Sequence, residues 1–563
     1  MATVLPASKP ESTGRKATGF TDTPRAIATA LARWAVRTRE DRILDAGAGT
    51  GVFVFEAIDR LRELGASEQQ IATNTIAVEQ DPERLSQLRD SLSTNRYPQV
   101  TLIRGDLFEQ RFEPLDAVIG NPPYVRRWWL ERDLVEKLSV DSARLTDLAC
   151  HFTKHAALFL KPGGRLAVII ADSWLDARYG IAFKDFLLRE FHLRKLVGFP
   201  EAVFADVSVR PILLLAERRN GSSSRSRVAF HRLPTSKDET PSVACLLDSP
   251  TDTLGDMRSV SQEDLRPVDD WSVYLYAPDA YFALVETRKL VPLGFLADTR
   301  IGLQTFARDF FVVNGKQAKD LGIEKNYLVP FLYSPRDALS SKRLTIEDTD
   351  QHLLACDKIK SDLENTKLLA YIRAAEKLPY QPRGRSEAVI GVQNRPRVSR
   401  ARRDPWYNLK TELVRRRAWP ILLPRRIFVK YRVWANDDML PASENFIEAR
   451  PKAGLDTRLL LAVLASSFAE MSLRVNAHQY GGGVYDLSPG KMASIRVPDV
   501  RGLKEGSHAR VCRALERIGD EDDRHRLDAV VGEALGFPSD RIEAVRDACE
   551  GLRSGARRVG GRT

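Results

Sequence analysis

Short apolar runs alternate with helix-like segments between Thr18 and Glu217, and this alternation restricts the possible folds more than any other feature. The apolar runs have the length of buried strands, as in TNTIAVEQD, QVTLIRGD, LDAVIGNPP, GRLAVIIAD and RKLVGF. Helices are predicted between them, among others at Pro82–Ser93, Thr146–Leu160 and Ile181–Glu190. Such alternation predicts a doubly wound, mainly parallel α/β sheet. A late strand, Arg210–Ala216, is expected to close an antiparallel edge of this sheet.

The rest of the chain lacks this regular alternation. The polar stretch RNGSSSRSR at Arg219–Arg227 is typical of a loop or linker. Residues 228–500 mix short strands, prolines and aromatics, and residues 501–563 return to helical spacing. We therefore expect a flexible tail, an α/β domain, a connecting segment, an α+β domain and a helical C-terminal segment, at 1–17, 18–219, 220–290, 291–500 and 501–563.

Five cysteines lie far apart and form no C-x-x-C motif. This usage predicts neither a disulfide framework nor a structural zinc site, and it favours a reducing compartment. The N-terminus is polar and lacks the apolar core of a signal peptide. No stretch approaches the roughly 18 uninterrupted apolar residues of a membrane span. We expect a cytoplasmic protein with no membrane partner.

One basic segment accounts for the net charge of the chain. Arg383–Arg432 contains 15 Lys or Arg and three acidic residues, a net charge of +12, while all 563 residues together have a net charge of +11. Interleaved aromatic residues favour nucleic acid as the partner over a basic face that binds nothing. The candidate DNA contacts are Arg402, Arg403, Trp406, Tyr407, Arg415, Arg416, Arg417, Arg425, Arg426 and Lys430.

A glycine-rich turn follows the first predicted strand. The sequence Ile43–Gly51 reads ILDAGAGTG, in which an acidic residue precedes glycines at alternate positions. Glycine lets the backbone approach a cofactor closely, and the following helix offers unpaired N–H groups at its N-terminus. The G-x-G-x-G spacing favours S-adenosylmethionine over the dinucleotides that G-x-G-x-x-G binds. A tight strand–helix turn without a ligand is the alternative interpretation.

Acidic residues also follow the next two predicted strands. Glu79 ends IAVE, where its carboxylate can accept hydrogen bonds from a ribose diol. Asp106, after QVTLIRG, can accept a hydrogen bond from an adenine amino group, and Phe108 can pack on the ring. The alternatives are a solvated helix cap for Glu79, an N-cap for Asp106 and a core position for Phe108.

The motif Asn121-Pro122-Pro123-Tyr124 follows the strand DAVIG and lies 76 residues after Asp45. An amine attached to an aromatic ring is a poor nucleophile because its lone pair is delocalised. Two acceptors, the Asn121 amide oxygen and the Pro122 carbonyl, can take its two N–H hydrogens and localise that pair. Consecutive prolines stiffen the loop, and Tyr124 can stack on a base flipped out of a duplex.

Together these motifs resemble the gamma-class (TaqI-type) N6-adenine DNA methyltransferases of bacterial restriction–modification systems. The resemblance covers Thr18 to about Glu217 strongly and 295–500 weakly, the latter through Arg402–Tyr407 (RRDPWY). It implies a Rossmann-like class I methyltransferase domain, an α+β target-recognition domain and a helical C-terminal segment. It also implies S-adenosylmethionine as cofactor, double-stranded DNA as substrate and a separately encoded restriction endonuclease as a further partner of a monomer or weak dimer.

The resemblance assigns a role to each matched position. Thr23 and Pro24 would contact the methionine end of the cofactor, and Phe204 would stack on the target base beside Tyr124. The catalytic loop would comprise Asn121, Pro122, Pro123 and Tyr124. The other cofactor contacts would be Asp45, Ala46, Gly47, Gly49, Gly51, Glu79, Asp106 and Phe108.

Several alternatives remain open. Asn-Pro-Pro-Tyr also occurs in RNA and protein-glutamine methyltransferases, which usually lack so large and basic a C-terminal region. A fused restriction–methylation enzyme needs a nuclease domain. Because the predicted catalytic core begins near residue 18, we expect no room for such a domain before it. A DNA-binding protein with an inactive methylase fold is disfavoured by the intact Asn121–Tyr124 motif. No metal is expected, although Cys150, His151 and His155 lie at ligand-like spacing.

Overall fold

The computed structural model describes residues 23–95, 97, 99–123, 147–199, 210–221, 226–233, 256–336, 343–381, 388–480, 483–517 and 521–560. These residues belong to two compact units, Met1–Tyr276 and Ala277–Thr563. The four cysteines among them are free and buried.

A nine-stranded sheet forms the centre of the first unit. Its strands, β1 to β9 in chain order, are Ile43–Asp45, Thr75–Glu79, Thr101–Arg104, Leu115–Gly120, Leu160–Ala171, Phe191–Gly198, Pro211–Arg218, Arg227–Arg232 and Asp256–Ser261. Their spatial order is β3-β2-β1-β4-β5-β7-β6-β8-β9. The first five strands in this order pair in parallel. The observed architecture is a mixed α/β unit around one large sheet, as the alternating pattern predicts.

Helices surround this sheet. In chain order α1 to α7 are Arg25–Ala35, Val52–Glu63, Glu68–Asn74, Pro82–Thr94, Leu148–Ala157, Gly180–Glu190 and Ser272–Tyr276. The three helices singled out from the sequence are confirmed as α4, α5 and α6. The start of α4 shows why, because Asp81 accepts hydrogen bonds from two backbone N–H groups of the first turn and proline follows it.

Successive residues of the central strands pack on opposite faces of the sheet. Leu44 and Val118 belong to one apolar cluster, while Ile43, Ala117 and Ile119 belong to another. Side chains of a strand alternate between faces, so strands that are apolar throughout need cover on both sides. This double burial explains the continuous apolar runs in the sequence.

The late strand β7 does not lie at an edge of the sheet, and that prediction is wrong. β7 is inserted between β5 and β6 and runs antiparallel to both. Ile212–Ala216 is fully buried on both faces, which suits an interior position. Within the predicted connecting segment, β8 and β9 extend the sheet beyond β6.

The second unit contains several small sheets. Its strands, β10 to β24, are Leu290–Pro292, Ala297–Ile301, Val312–Asn314, Leu328–Pro330, Arg343–Leu344, Gln351–Leu354, Pro379–Tyr380, Val389–Ile390, Ile421–Pro424, Arg426–Ile427, Trp434–Asn436, Phe446–Pro451, His478–Tyr480, Val484–Asp486 and Arg496–Pro498. The largest sheet has the order β11-β21-β18-β20-β14, and β19, β23 and β22 form a three-stranded sheet. Short strands in several sheets explain why no regular alternation is visible in this part of the sequence.

The helices of the second unit concentrate towards its C-terminal end. In chain order α8 to α19 are Asp279–Glu286, Arg308–Phe311, Gly315–Leu321, Lys367–Ala375, Pro396–Arg400, Lys410–Arg416, Thr457–Ala465, Ser467–Asn476, Pro489–Ser494, Glu505–Glu516, Glu521–Ala534 and Ser539–Gly560. Over the described residues, no single helix has the length and apolar character to cross a membrane. One bent pair, α14 with α15 at 65°, passes on length and composition alone.

Glu470 on α15 is the centre of a buried charge cluster. Its fully buried carboxylate accepts hydrogen bonds from Arg474, Arg524 and Arg553, which lie on α15, α18 and α19. Burial acts to raise the pKa of Glu470, but the three guanidinium groups hold this pKa below its ordinary value. The resulting stabilisation is present above the unfolded-state pKa and is lost as the pH falls through the folded-state pKa.

The Glu470 cluster also supports a neighbouring loop. Arg474 donates to the carbonyls of Phe428 and Val429 at 2.8 and 2.7 Å, and Arg524 donates to the carbonyl of Tyr431 at 2.8 Å. The cluster therefore connects the C-terminal helices to the backbone of Phe428–Tyr431.

We expect Glu470→Ala to lower the free energy of unfolding by about 3–5 kcal/mol, because it leaves buried guanidinium groups without their counter-charge. Glu533→Ala is the matched control, since Glu533 pairs with Arg510 where both side chains are 55% exposed. Removing such a surface pair costs about 0–1 kcal/mol. Urea unfolding at neutral pH measures both values, and similar losses for the two variants would contradict the account of the cluster.

Candidate functional site

The glycine turn after β1 adopts a backbone conformation that requires glycine. Gly49 and Gly51 have φ angles of +54° and +96°, and Gly51 is the N-cap of α2. The N–H of Gly49 donates to Glu79 Oε2 at 2.8 Å, and the other oxygen of Glu79 accepts from the N–H of Asp81 at 2.8 Å. Glu79 therefore fixes the turn, and carboxylate lone pairs remain for a further donor.

Asp45 ends β1 and is 2% exposed. Among the described residues, neither of its carboxyl oxygens has a hydrogen-bond partner of good geometry, although the backbone N–H of Gly47 lies close enough to interact with the carboxylate. Burial raises the pKa of Asp45 to about 8; the Gly47 N–H opposes this rise, and the nearby Glu79 carboxylate adds to it. A buried carboxyl group with unused acceptors is an unusual cost in a protein core. It suits a ligand that brings hydrogen-bond donors or positive charge.

Direct pairing of β1 with β4 brings Asn121 close to Asp45. Asp45 is in register with Ile119, so Asn121 follows β4 immediately beyond the level of Asp45. Between them, Gly120 has a φ of +147°, and a Cβ atom on it would lie 3.1 Å from Asp45 Oδ1. The carboxyl ends of the two strands therefore meet tightly, as α/β binding sites require.

A hydrogen bond orients the Asn121 side chain. Its Nδ2 donates to Thr23 Oγ1 at 3.1 Å, so Oδ1 is the acceptor end of the amide. Pro122 is buried and Pro123 is half-buried. Thr23, expected to contact the cofactor, thus contacts the Asn-Pro-Pro loop. Tyr124 and Phe204 lie outside the described residues.

Helix α5 supplies site residues that the sequence did not single out. A narrow cavity between the glycine turn and Asn121 is bordered by Phe152, Thr153 and Ala156. A Cβ atom on Gly47 would lie 3.2 Å from the ring of Phe152. Cys150, His151 and His155 give this helix its ligand-like spacing, but the ring of Phe152, between the two histidines, lines the cavity.

The side chains after β3 have internal partners. Asp106 Oδ1 accepts from the Phe108 N–H at 3.0 Å, which is the N-cap interaction considered for it. The Phe108 ring packs against those of Phe152 and His155, with centroids 6.3 and 5.2 Å apart. Burial lowers the pKa of His155, and the positive charge of Arg111 lowers it further. Phe108 therefore joins the third strand to the cavity wall on α5.

In the second unit, several predicted DNA contacts have structural roles. Arg403 is mostly buried and donates to the carbonyls of Thr305 and Gln304 at 3.0 and 2.8 Å. Trp406 donates to Glu376 at 2.8 Å, and the buried Tyr407 donates to the carbonyl of Lys358 at 3.0 Å. These three side chains help hold the second unit together.

The other predicted contacts divide into two groups. Arg415 and Arg417 are exposed at the end of α13, and Arg402 is exposed after α12. Arg416, in contrast, donates to the carbonyl of Ile301. Arg425 and Arg426 share the Asp486 carboxylate at 3.2 and 3.3 Å, and Arg426 is 60% exposed. Lys430 is exposed farther along the same segment.

A cleft of about 750 Å³ lies beside this second group. Four cationic side chains line it, namely Arg336, Arg426, Lys430 and Arg432. Phe428, 45% exposed, is also part of its wall, and the buried Trp434 lies deeper. We refer to these six side chains as the basic cleft. Cations around an exposed aromatic ring are a combination that suits nucleic acid.

Comparison with known proteins agrees with this arrangement. Residues 55–204 match the Eco57I restriction-modification methylase family, and residues 269–529 match the C-terminal domain of Type II methyltransferase M.Eco57I. The chain is a homologue of restriction–modification methyltransferases.

Individual relatives extend over most of the chain. Type II methyltransferase M.AccI of Acinetobacter calcoaceticus is 24% identical over 487 residues, which cover 83% of each chain. Type II methyltransferase M.BstVI of Geobacillus stearothermophilus is 22% identical and covers 90% of this chain and 93% of its own. The solved structure of the Type IIL restriction-modification enzyme MmeI in complex with DNA shares the fold. It has a TM-score of 0.56 at 13% identity, over 96% of this chain and 72% of that one.

Gly120→Ala tests the close approach of the two strands. We expect it to lower the free energy of unfolding by about 1–3 kcal/mol through backbone strain, with a further loss from the clash with Asp45. Gly163→Ala is the matched control, because Gly163 also has a positive φ, of +78°, but has open space where a Cβ would lie. Urea unfolding compares them, and a smaller loss for Gly120→Ala than for Gly163→Ala would contradict the packing.

Proposed function

We propose that the protein is a sequence-specific DNA methyltransferase, which transfers a methyl group from S-adenosylmethionine to N6 of adenine in double-stranded DNA. It would serve as the modification enzyme of a restriction–modification system. The observation that carries this proposal is the junction of Asp45, Gly120 and Asn121, where a turn suited to a cofactor adjoins acceptors suited to an amine. The relationship to restriction–modification methyltransferases supports the same reaction.

The acceptors explain the preference for an aromatic amine. The Oδ1 of Asn121 and the carbonyl of Pro122 would each accept one N–H of the adenine amino group. These hydrogen bonds favour a pyramidal nitrogen whose lone pair points towards the methyl donor. The Thr23 hydroxyl fixes which end of the Asn121 amide faces the base. No separate base is needed before transfer, because the methylated nitrogen is acidic and loses its proton to solvent.

The residues in and around the glycine turn suit S-adenosylmethionine. When bound, S-adenosylmethionine supplies an activated methyl group on a sulfonium centre. The unused acceptors of Asp45 suit its cationic methionine end, and Glu79 retains lone pairs for the ribose hydroxyls. Asp106 and Phe108 are the proposed adenine contacts, with Phe152 as an additional wall. Ala46, Gly47, Gly49 and Gly51 would leave space for close backbone contact.

Access to adenine N6 requires the base to leave the helix, because the duplex buries and pairs it. We propose that Tyr124 and Phe204 stack on the flipped base, as the resemblance implies. Stacking on an aromatic ring does not distinguish one base from another, because every base has a π-face. Recognition of the DNA sequence would therefore depend on the second unit.

We propose that the second unit binds DNA through the basic cleft and through the exposed arginines near α13. The cleft concentrates positive charge, and phosphate contacts from such side chains position the duplex. Arg403, Trp406 and Tyr407 would support this surface from within, since their polar atoms bind the protein's own backbone and Glu376.

Asn121→Ala tests the methyl-transfer site. We expect S-adenosylmethionine affinity to remain within a few-fold of wild type, measured by calorimetry, because the glycine turn is intact. Methylation of adenine-containing duplex DNA should fall at least about 100- to 1,000-fold, the cost of losing one polar contact to a reacting group. Asn95→Ala, on the exposed end of α4, is the control that should retain activity. Wild-type turnover in Asn121→Ala would refute the mechanism.

The salt dependence of DNA affinity tests the basic cleft. Each phosphate contact removed should flatten the log–log slope by roughly 0.9, so combining Arg336→Ala with Lys430→Ala should flatten it by up to about 2. The control combines Lys316→Ala with Lys319→Ala, two exposed lysines on α10 that neither line the cleft nor lie on α13. Fluorescence anisotropy measures the slopes. An unchanged slope in the cleft variant would place the DNA elsewhere.

A further inference from the structure

Three metal-ligand side chains converge between α14 and α17. His508 and Cys512 are four residues apart on α17 and therefore share one face of that helix. Asp456 caps the N-terminus of α14. One ligand atom from each of the three residues lies within 4.8 Å of the other two. This group is separate from both the glycine turn and the basic cleft.

The geometry of the group matches a small tetrahedral ion. His508 Nε2 and Asp456 Oδ2 are 3.4 Å apart. A tetrahedral zinc ion with bonds of about 2.1 Å to nitrogen and oxygen would hold two such ligands roughly 3.4 Å apart. A cysteine sulfur completes a set of nitrogen, oxygen and sulfur ligands that borderline-soft ions prefer.

We propose that Asp456, His508 and Cys512 bind a divalent zinc-like ion, with water in the fourth position. Cys512 is 4% exposed, whereas His508 and Asp456 are 32% and 30% exposed. The site is thus open to solvent on one side and closed by protein on the sulfur side. An ion can enter without unfolding α17.

Binding of the ion requires the release of one proton and the movement of one arginine side chain. Burial, and then the Asp456 carboxylate, raise the pKa of Cys512, so the thiol carries its proton when no ion is bound. This proton is released to solvent as the sulfur bonds to the ion. The hydrated ion keeps one of its waters and releases the others to solvent as the three protein ligands bind. Arg458 lies 3.6 Å from Asp456 and must turn away, and its 60% exposed side chain already approaches Glu516 at 3.8 Å.

The bound ion would fasten α17 to the beginning of α14. Two of the ligands lie on one helix and the third on the other, so the ion would resist separation of these helices. The expected consequence is stabilisation of the second unit, in proportion to the logarithm of the metal concentration. The site takes no part in methyl transfer, and its test is independent of the proposed reaction.

Cobalt(II) reports directly on the sulfur ligand. Chelator-dialysed full-length protein should develop a thiolate-to-cobalt charge-transfer band with one equivalent of cobalt(II), and zinc should abolish it. Cys512→Ser should lose the band, whereas Cys356→Ser, also a buried cysteine of the second unit, should retain it. Absence of the band in wild-type protein, or its persistence in Cys512→Ser, would overturn the proposal.

Thermal unfolding gives a second measurement with a variant that should fold. Zinc should raise the midpoint of wild-type protein by several degrees, and His508→Ala, which removes a partly exposed side chain, should largely lose this shift. His352→Ala, a partly exposed histidine on β15, should keep it. An equal zinc-induced shift in wild type and His508→Ala would contradict the site.

Discussion

The parallel pairing of β1 with β4 is the constraint on which the candidate active site depends. It joins two sequence motifs that are 76 residues apart and puts their ends at the same edge of the sheet. Glycine at position 120 allows the contact, because a Cβ atom would intrude on Asp45. Because of this closeness, the buried Asp45 carboxyl group lies beside the Asn121 loop, and the narrow cavity between the glycine turn and Asn121 forms against α5.

In the second unit, several arginines are buried and stabilise the fold, which the net charge of the sequence does not show. Glu470 binds three arginines in the interior and, through two of them, supports the backbone of Phe428–Tyr431. That segment lines the basic cleft. Some arginines thus build the cleft, while others are exposed within it. Within Arg383–Arg432, Arg403 and Arg416 likewise donate to backbone carbonyls, so the positive charge of this segment serves folding as well as the proposed DNA contact.

Local patterns predicted the parts of the fold that depend on neighbouring residues. Helices α4, α5 and α6 follow from their periodicity, and the glycine turn follows from its spacing. The place of β7 was missed, because insertion between β5 and β6 depends on packing between distant segments. Tyr407 is buried and Trp406 is partly buried against the same core, and a sequence does not show which aromatic residues pack inside in this way.

The site residues also divide into those that strand positions predict and those that depend on the packing of distant segments. Asp45 and Glu79 end parallel strands and Asn121 follows another, so the topology of the sheet brings them together. Phe152 carries no such signal, and neither does the Asp456–His508–Cys512 group, whose members come together only when α14 packs against α17. Cysteine spacing alone therefore predicted no zinc site.

Methylation-sensitive sequencing of DNA from cells that express this chain is the most direct test of the proposed function. The account predicts N6-methyladenine at one short sequence throughout the genome, and none in cells that express Asn121→Ala. Unmodified adenine in both cultures, or methylation confined to another base, to RNA or to protein, would contradict it.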